Sequence, residues 1–253
     1  MESPPSRRKR TVFLLFARGL PAYLPPVARE TINNKKARLA RIQERLRQAY
    51  PDAHCELDYS NPLELLVATI LSAQCSDKQV NIVTAALFRK YRSANDYVAA
   101  PIEELQQDLR AIGLYRNKAK NIKACCAKLL ERHGGEVPSS MEQLIELDGV
   151  GRKTANVVLG NAFNVSHGIV VDTHVARLSE RLGLTTETQP ERIEAALQKI
   201  VPPENWTLFS HWLIWHGRRR CGARNPDCPN CEIRDLCPAA PKQTSAKVSH
   251  ARR

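Results

Sequence analysis

The chain of 253 residues is about 1.7 times a typical ~150-residue domain, which predicts one large or two small domains. Its 43% apolar and 25% charged content excludes disordered, collagenous and mucin-like classes, and it holds no uncharged apolar run of the ~18 residues that a membrane-spanning helix needs. The formal net charge of +12 favours a polyanionic partner such as nucleic acid, although more than half of it sits in residues 1–10 and 241–253.

Residues 1–33 read as a flexible basic extension, with prolines at 4, 5, 21, 25 and 26. Arg7 to Arg10 ahead of Val12 to Phe16 resemble the start of a secretory signal, but the apolar stretch is short and no small-residue cleavage site follows. Export is therefore not expected, and a cytoplasmic location is. From Asn34 onward apolar residues recur at helical spacing and nothing demands a strand, so the expected class is all-α with nine or ten helices. Ser60 and Pro62 open a helix with one apolar stripe through Leu71, and Ser76 caps the next through Tyr91. Pro101 opens a helix that Gly113 closes, and Tyr115 to His133 stops at Gly134 and Gly135. Arg116, Lys118, Lys120, Lys123 and Lys128 offer either a basic binding face or a solvated one. Ser139 with Glu142, and Thr188 with Glu191, fit the capping box.

Between the helix of Met141 to Leu147 and that of Arg152 to Phe163 lies a tight turn, Asp148-Gly149-Val150-Gly151. Two glycines there allow positive φ and bare backbone N–H groups at a helix N-terminus, which suits a phosphate; an ordinary αα-hairpin is the alternative. Arg152 and Lys153 add charge, and Lys153 falls where the macrodipole opposes an ammonium. Asp172 precedes the helix of Thr173 to Leu182 and reads first as its N-cap, a position that also holds a carboxylate ionised for chemistry; His174 has no assigned role. Cys221, Cys228, Cys231 and Cys237 crowd one short loop, suitable for zinc or a four-iron cluster. The intervening loop, residues 222–227, holds one basic residue, Arg224, with Arg218, Arg219 and Arg220 upstream to supplement it. Residues 241–253 form a basic tail.

The run Leu147 to Asn156 (LDGVGRKTAN), followed by Val171-Asp172-Thr173-His174, resembles the helix-hairpin-helix signature of the endonuclease III family of DNA glycosylases. Ser72-Ala73-Gln74, Gly113 to Ala119 and the cysteine quartet extend that resemblance over residues ~34–240. Asp148 departs from it: family members commonly carry proline there. The resemblance implies two helical domains. Residues 56–165 would form a six-helix barrel carrying the hairpin, and residues 34–55 with 166–240 a discontinuous iron-sulfur cluster domain. It implies a [4Fe-4S] cluster on Cys221, Cys228, Cys231 and Cys237, with Lys153 as the amine nucleophile and Asp172 as its carboxylate partner. Gln74 and Leu114 would fill the gap left by an extruded nucleotide, and Gly149, Val150, Gly151 and Arg152 would hold DNA backbone. The implied activity is that of a monomeric bifunctional glycosylase and AP lyase, acting on double-stranded DNA that contains damaged pyrimidines or abasic sites. Two alternatives remain at this point. One is a monofunctional relative, which would lack a lysine at position 153; the other is a non-catalytic DNA-binding or redox module.

Overall fold

The computed structural model describes residues 30–241. The basic and apolar run of residues 7–16, the prolines of the extension and the charged residues of the basic tail lie outside these. Every regular element among the described residues is helical, and none of these helices is long and apolar enough to cross a membrane.

The first helix, α1 (Ile32–Ala49), starts earlier than the apolar spacing suggests, because the Thr31 side chain accepts from Asn34 N–H. In α2 (Pro62–Ser72) the cap is Asn61, not Ser60, whose N–H and hydroxyl instead donate to Glu64. Nor does α2 bury a single stripe: seven consecutive residues, Leu65 to Leu71, are buried, because α3 (Asp77–Lys90), α6 (Tyr115–His133) and α8 (Arg152–Ala162) pack around it. Helix α3 is capped by Ser76 as its sequence predicts.

Periodicity gave no sign of α4 (Ala94–Ala99), which is too short to show a period but is fixed by a reciprocal Ser93–Asp96 capping box. Helix α5 (Ile102–Asp108) ends several residues before Gly113, with Leu109 as its C-cap. Helix α6 has the expected bounds, closed by Gly134 at φ 62°. Helix α7 (Met141–Ile145) is capped by Ser140 rather than Ser139. Helix α9 (Thr173–Arg181) ends just before Gly183. Helix α10 (Pro190–Gln198) has no capping box: Pro190 takes the first helical position, so Thr188 falls outside the cap. Helix α11 (Trp206–Arg219) leads into the cysteine loop.

Two apolar cores organise these elements. Leu66, Leu71, Ile122, Leu129 and Leu159 belong to one, drawn from residues 57–159. Leu39, Leu46, Leu178, Leu197 and Phe209 belong to the other, drawn from residues 39–53 and 169–236. The chain therefore begins in the second core, builds the first, and returns, and the return brings the start of α9 opposite the start of α8.

Candidate active site and DNA interface

The hairpin rests on packing that the sequence shows only in part. Gly149 takes φ 76°, and a Cβ on it would lie 3.0 Å from Asn121 Cβ on α6, so glycine is required for both conformation and close approach. Gly151 is different: its φ is −92°, and a Cβ on it would meet nothing within 4 Å. It serves α8 by exposing a helix N-terminus that no side chain caps, leaving the first-turn N–H groups to a ligand. Val150 is anchored in the first core at 5% exposure with its N–H bonded to Leu147 O.

Charges around the turn are largely spoken for within the protein. Lys128 on α6 reaches Asp148 Oδ2 at 2.9 Å and Glu146 O at 2.9 Å, compensating the carboxylate that stands in place of proline. Arg152 makes a two-pronged ion pair with buried Glu194 of α10, at 2.9 and 3.0 Å, and Asn156 donates to the same carboxylate at 3.1 Å. That pairing ties α8 to α10 and leaves the Arg152 side chain partly exposed.

Lys153, exposed in the first turn of α8, and Asp172, half-buried at the start of α9, line one cleft of about 1320 Å³. Asp172 is the N-cap of α9, with Oδ1 accepting from the N–H groups of His174 and Val175 at 2.8 Å each. Its Oδ2 has no hydrogen-bond partner among the described residues, so one atom builds the helix and the other remains available to the cleft. Both residues also line an adjoining pocket of about 240 Å³, walled by Thr69, Ser210, His211 and Ile214. His211 holds Asn161 Oδ1 at 2.8 Å, and burial pushes its pKa down to about 4, so it is neutral. Sequence reasoning missed this pocket, because its residues come from α2, α8 and α11 with no local motif to mark them. His174 is half-buried, and burial holds its pKa below the ordinary histidine value.

Gln74 and Leu114 are exposed, and both adopt left-handed backbone, at φ 55° and 59°. Their loops adjoin: a Cβ on Gly113 would lie 3.7 Å from Gln74 O. Leu114 does not make the apolar cap contact that commonly follows a glycine, being 57% exposed. The lysines of α6 do not form one solvated face. Lys118 is buried on Leu71 O and Ala73 O, Lys123 donates to Val98 O and Ala100 O, and Lys128 is engaged as above.

The cysteine quartet forms no disulfide and is half-buried, and all four residues wall a small cavity of about 30 Å³ together with Leu178, Leu182 and Ile233. Arg181 of α9 wraps this loop, donating to Cys221 Sγ at 3.1 Å, Gly222 O at 2.8 Å and Ala223 O at 2.7 Å. Burial raises the Cys231 thiol to about 11, so a metal would have to displace its proton. His216 and Glu232 stand near Cys231, but His216 Nδ1 is bonded to Tyr50 Oη and Glu232 Oε1 accepts from Arg220. The arginines expected to supplement the loop are paired: Arg218 with Glu56 and Asp77, Arg219 with Glu56 and over the Trp215 ring, and Arg220 with Asp227 and Glu232.

A helical fold with an uncapped hairpin helix, whose lysine and the capping carboxylate of α9 line one cleft, defines a recognisable class. The family model of HhH-GPD superfamily base excision DNA repair proteins matches residues 67–203. Endonuclease III of Synechocystis sp. is 51% identical over 207 residues, which are 82% of this chain and 94% of that protein. Two solved structures, a non-covalent endonuclease III–DNA complex and a trapped endonuclease III–DNA covalent intermediate, each superpose with a TM-score of 0.77 at 49% identity, covering 81% of this chain and 96% of theirs. The chain belongs to the endonuclease III family of helix-hairpin-helix DNA glycosylases, enzymes of base excision repair.

Proposed function

We propose that the protein is a bifunctional N-glycosylase and AP lyase that removes oxidised pyrimidines from duplex DNA. The observation that carries this reading is the placement of Lys153 and the free Oδ2 of Asp172 on one cleft. The Lys153 amine attacks the sugar C1′, the glycosidic bond breaks, and its electron pair leaves with the base, which takes up a proton. The nitrogen gives up one proton, the C1′–O4′ bond breaks with O4′ taking up a proton, and the open-chain sugar is held as a protonated Schiff base. Removal of a C2′ proton then expels the 3′ phosphate by β-elimination, and water releases the lysine. Asp172 stabilises the positive charge that develops at the sugar and receives a proton from the amine.

The uncapped N–H groups of α8 suit a DNA phosphate. Extruding a nucleotide costs a few kcal/mol of unstacking, and Gln74 and Leu114 on adjoining loops are the residues placed to fill the gap. The extruded base would enter the smaller pocket beside His211. The two cores would act as two domains closing on the lesion. Cys221, Cys228, Cys231 and Cys237 fit a [4Fe-4S] cluster, since all four residues wall one small cavity and supply the thiolates such a cluster takes. Such a cluster would fix the loop of residues 222–227, where Arg224 is exposed.

Borohydride trapping on duplexes carrying thymine glycol, an abasic site or no lesion tests the reading. Covalent adducts on both damaged duplexes, lost in Lys153→Ala, are expected. Adducts on the abasic duplex alone would remove the oxidised-pyrimidine assignment, and DNA binding without any adduct would overturn the amine mechanism, leaving a monofunctional glycosylase or a non-catalytic module.

A further inference from the structure

Gln74 is held in a conformation that its side chain disfavours. Ser72 to Cys75 form a tight turn closed by Cys75 N–H donating to Ser72 O at 3.1 Å. Ala73 stands at φ −57°, ψ 115° and Gln74 at φ 55°, which is the central pair of a type II turn, where the third residue is normally glycine. The common type I turn over the same four residues would relieve Gln74. Reaching it requires only that the Ala73–Gln74 peptide rotate by roughly half a turn, swinging the Ala73 carbonyl to the opposite face.

That carbonyl is gripped. Lys118, 5% exposed, donates from Nζ to Ala73 O at 2.5 Å and to Leu71 O at 2.9 Å. Both acceptors belong to the C-terminal end of α2, where carbonyls lack intrahelical partners and a cation complements the helix dipole. Burial holds the lysine's pKa below its ordinary value, so the site loses hydration in exchange for these two bonds. The backbone N–H of Lys118 bonds to Leu114 O at 3.1 Å, in the first turn of α6. One residue therefore fixes both left-handed loops, by its side chain at Gln74 and by its main chain at Leu114.

We propose that Lys118 is a positioning residue for nucleotide extrusion: by holding the Ala73 carbonyl it keeps the turn in its type II form and Gln74 at the cleft. The inference rests on the reading of Gln74 as a gap-filling residue. A lysine acting only as a helix C-cap would change stability without acting through Gln74. A double-mutant cycle separates the two: wild type, Gln74→Ala, Lys118→Met and the double variant, compared in single-turnover excision of thymine glycol from duplex DNA, with thermal unfolding alongside. Each single substitution should slow excision about tenfold, and the double variant should be no slower than Gln74→Ala alone. Lys118→Arg, which keeps cationic donors, should retain most of the rate. Losses that multiply in the double variant, or a wild-type rate in Lys118→Met, would overturn the proposal. An unchanged rate in Gln74→Ala would instead remove the gap-filling reading, and the inference with it. If Lys118→Met does not fold, Lys118→Leu, which likewise carries no donor, takes its place in the cycle under the same criterion.

Discussion

Asp148 sets a negative charge beside the turn proposed to meet a phosphate, and Lys128 compensates it from α6 at 2.9 Å. Removing that lysine should leave the carboxylate to repel DNA. Because the pair is partly exposed the effect is small: Lys128→Met should weaken duplex binding by about two- to fivefold at low salt, with Asp148→Asn in the same chain restoring it. Fluorescence anisotropy across a salt series measures both. Glu194 carries a heavier duty, since Arg152 and Asn156 both donate to it and a Cβ on Gly168 would lie 2.0 Å from its Oε1. Glu194→Ala should cost about 1–3 kcal/mol in urea unfolding and lower the chemical rate by loosening the start of α8, which carries Lys153. A stability loss with an unchanged single-turnover rate would show that the pair has no part in placing the lysine. None of this pairing is legible in sequence. The 38 basic residues are chemically alike until the fold buries Lys118 and ties Arg152 to α10.

Helix α11 is an element whose interior sets a pH dependence. Burial lowers the His211 pKa to about 4, with His54 pushing the same way and Asn161 Oδ1 bonded to Nε2. The unfolded chain therefore binds more protons than the folded one between about pH 6.5 and pH 4. The stability associated with His211 is fully present above about pH 6.5 and is lost as pH falls through that window, amounting to at most about 3 kcal/mol. His211→Gln, which keeps a neutral polar group, should flatten this part of the profile of urea midpoint against pH; an unchanged slope would show that His211 is not its source. Elsewhere, element boundaries were legible where backbone chemistry is local. Gly134 ends α6 in the left-handed conformation that glycine permits, and Asp172 caps α9 as its type and position predict. They were not legible where two candidates compete within a residue or two, as at Ser60 against Asn61 and Ser139 against Ser140.

At the scale of the molecule, the chain enters the second core with α1, completes the first core through α8, and returns with α9 to α11. No periodicity specifies that return. The expectation of two regions joined in this order came from the resemblance carried by the hairpin and the cysteine spacing. The cleft lined by both Lys153 and Asp172 depends on it, because the starts of α8 and α9 must border the same space. The cysteine loop is held to the second core by Arg177 and Arg181 of α9, whose guanidiniums bond to carbonyls at Gly217, Cys221, Gly222 and Ala223. Purified protein should contain about four iron atoms per chain with the broad visible absorption of an iron-sulfur cluster, and Cys228→Ser should lose both. One zinc per chain would instead assign the quartet to a tetrahedral structural site.

The proposed mechanism turns on which amine reacts. The direct test is to reduce the intermediate with borohydride on a thymine glycol duplex, digest the complex, and locate the nucleotide-bearing peptide by mass spectrometry. The adduct should map to Lys153 in wild type, with no adduct in Lys153→Ala. A nucleotide found on any other amine, or an adduct that persists in the variant, would contradict the assignment of Lys153 and with it the proposed mechanism.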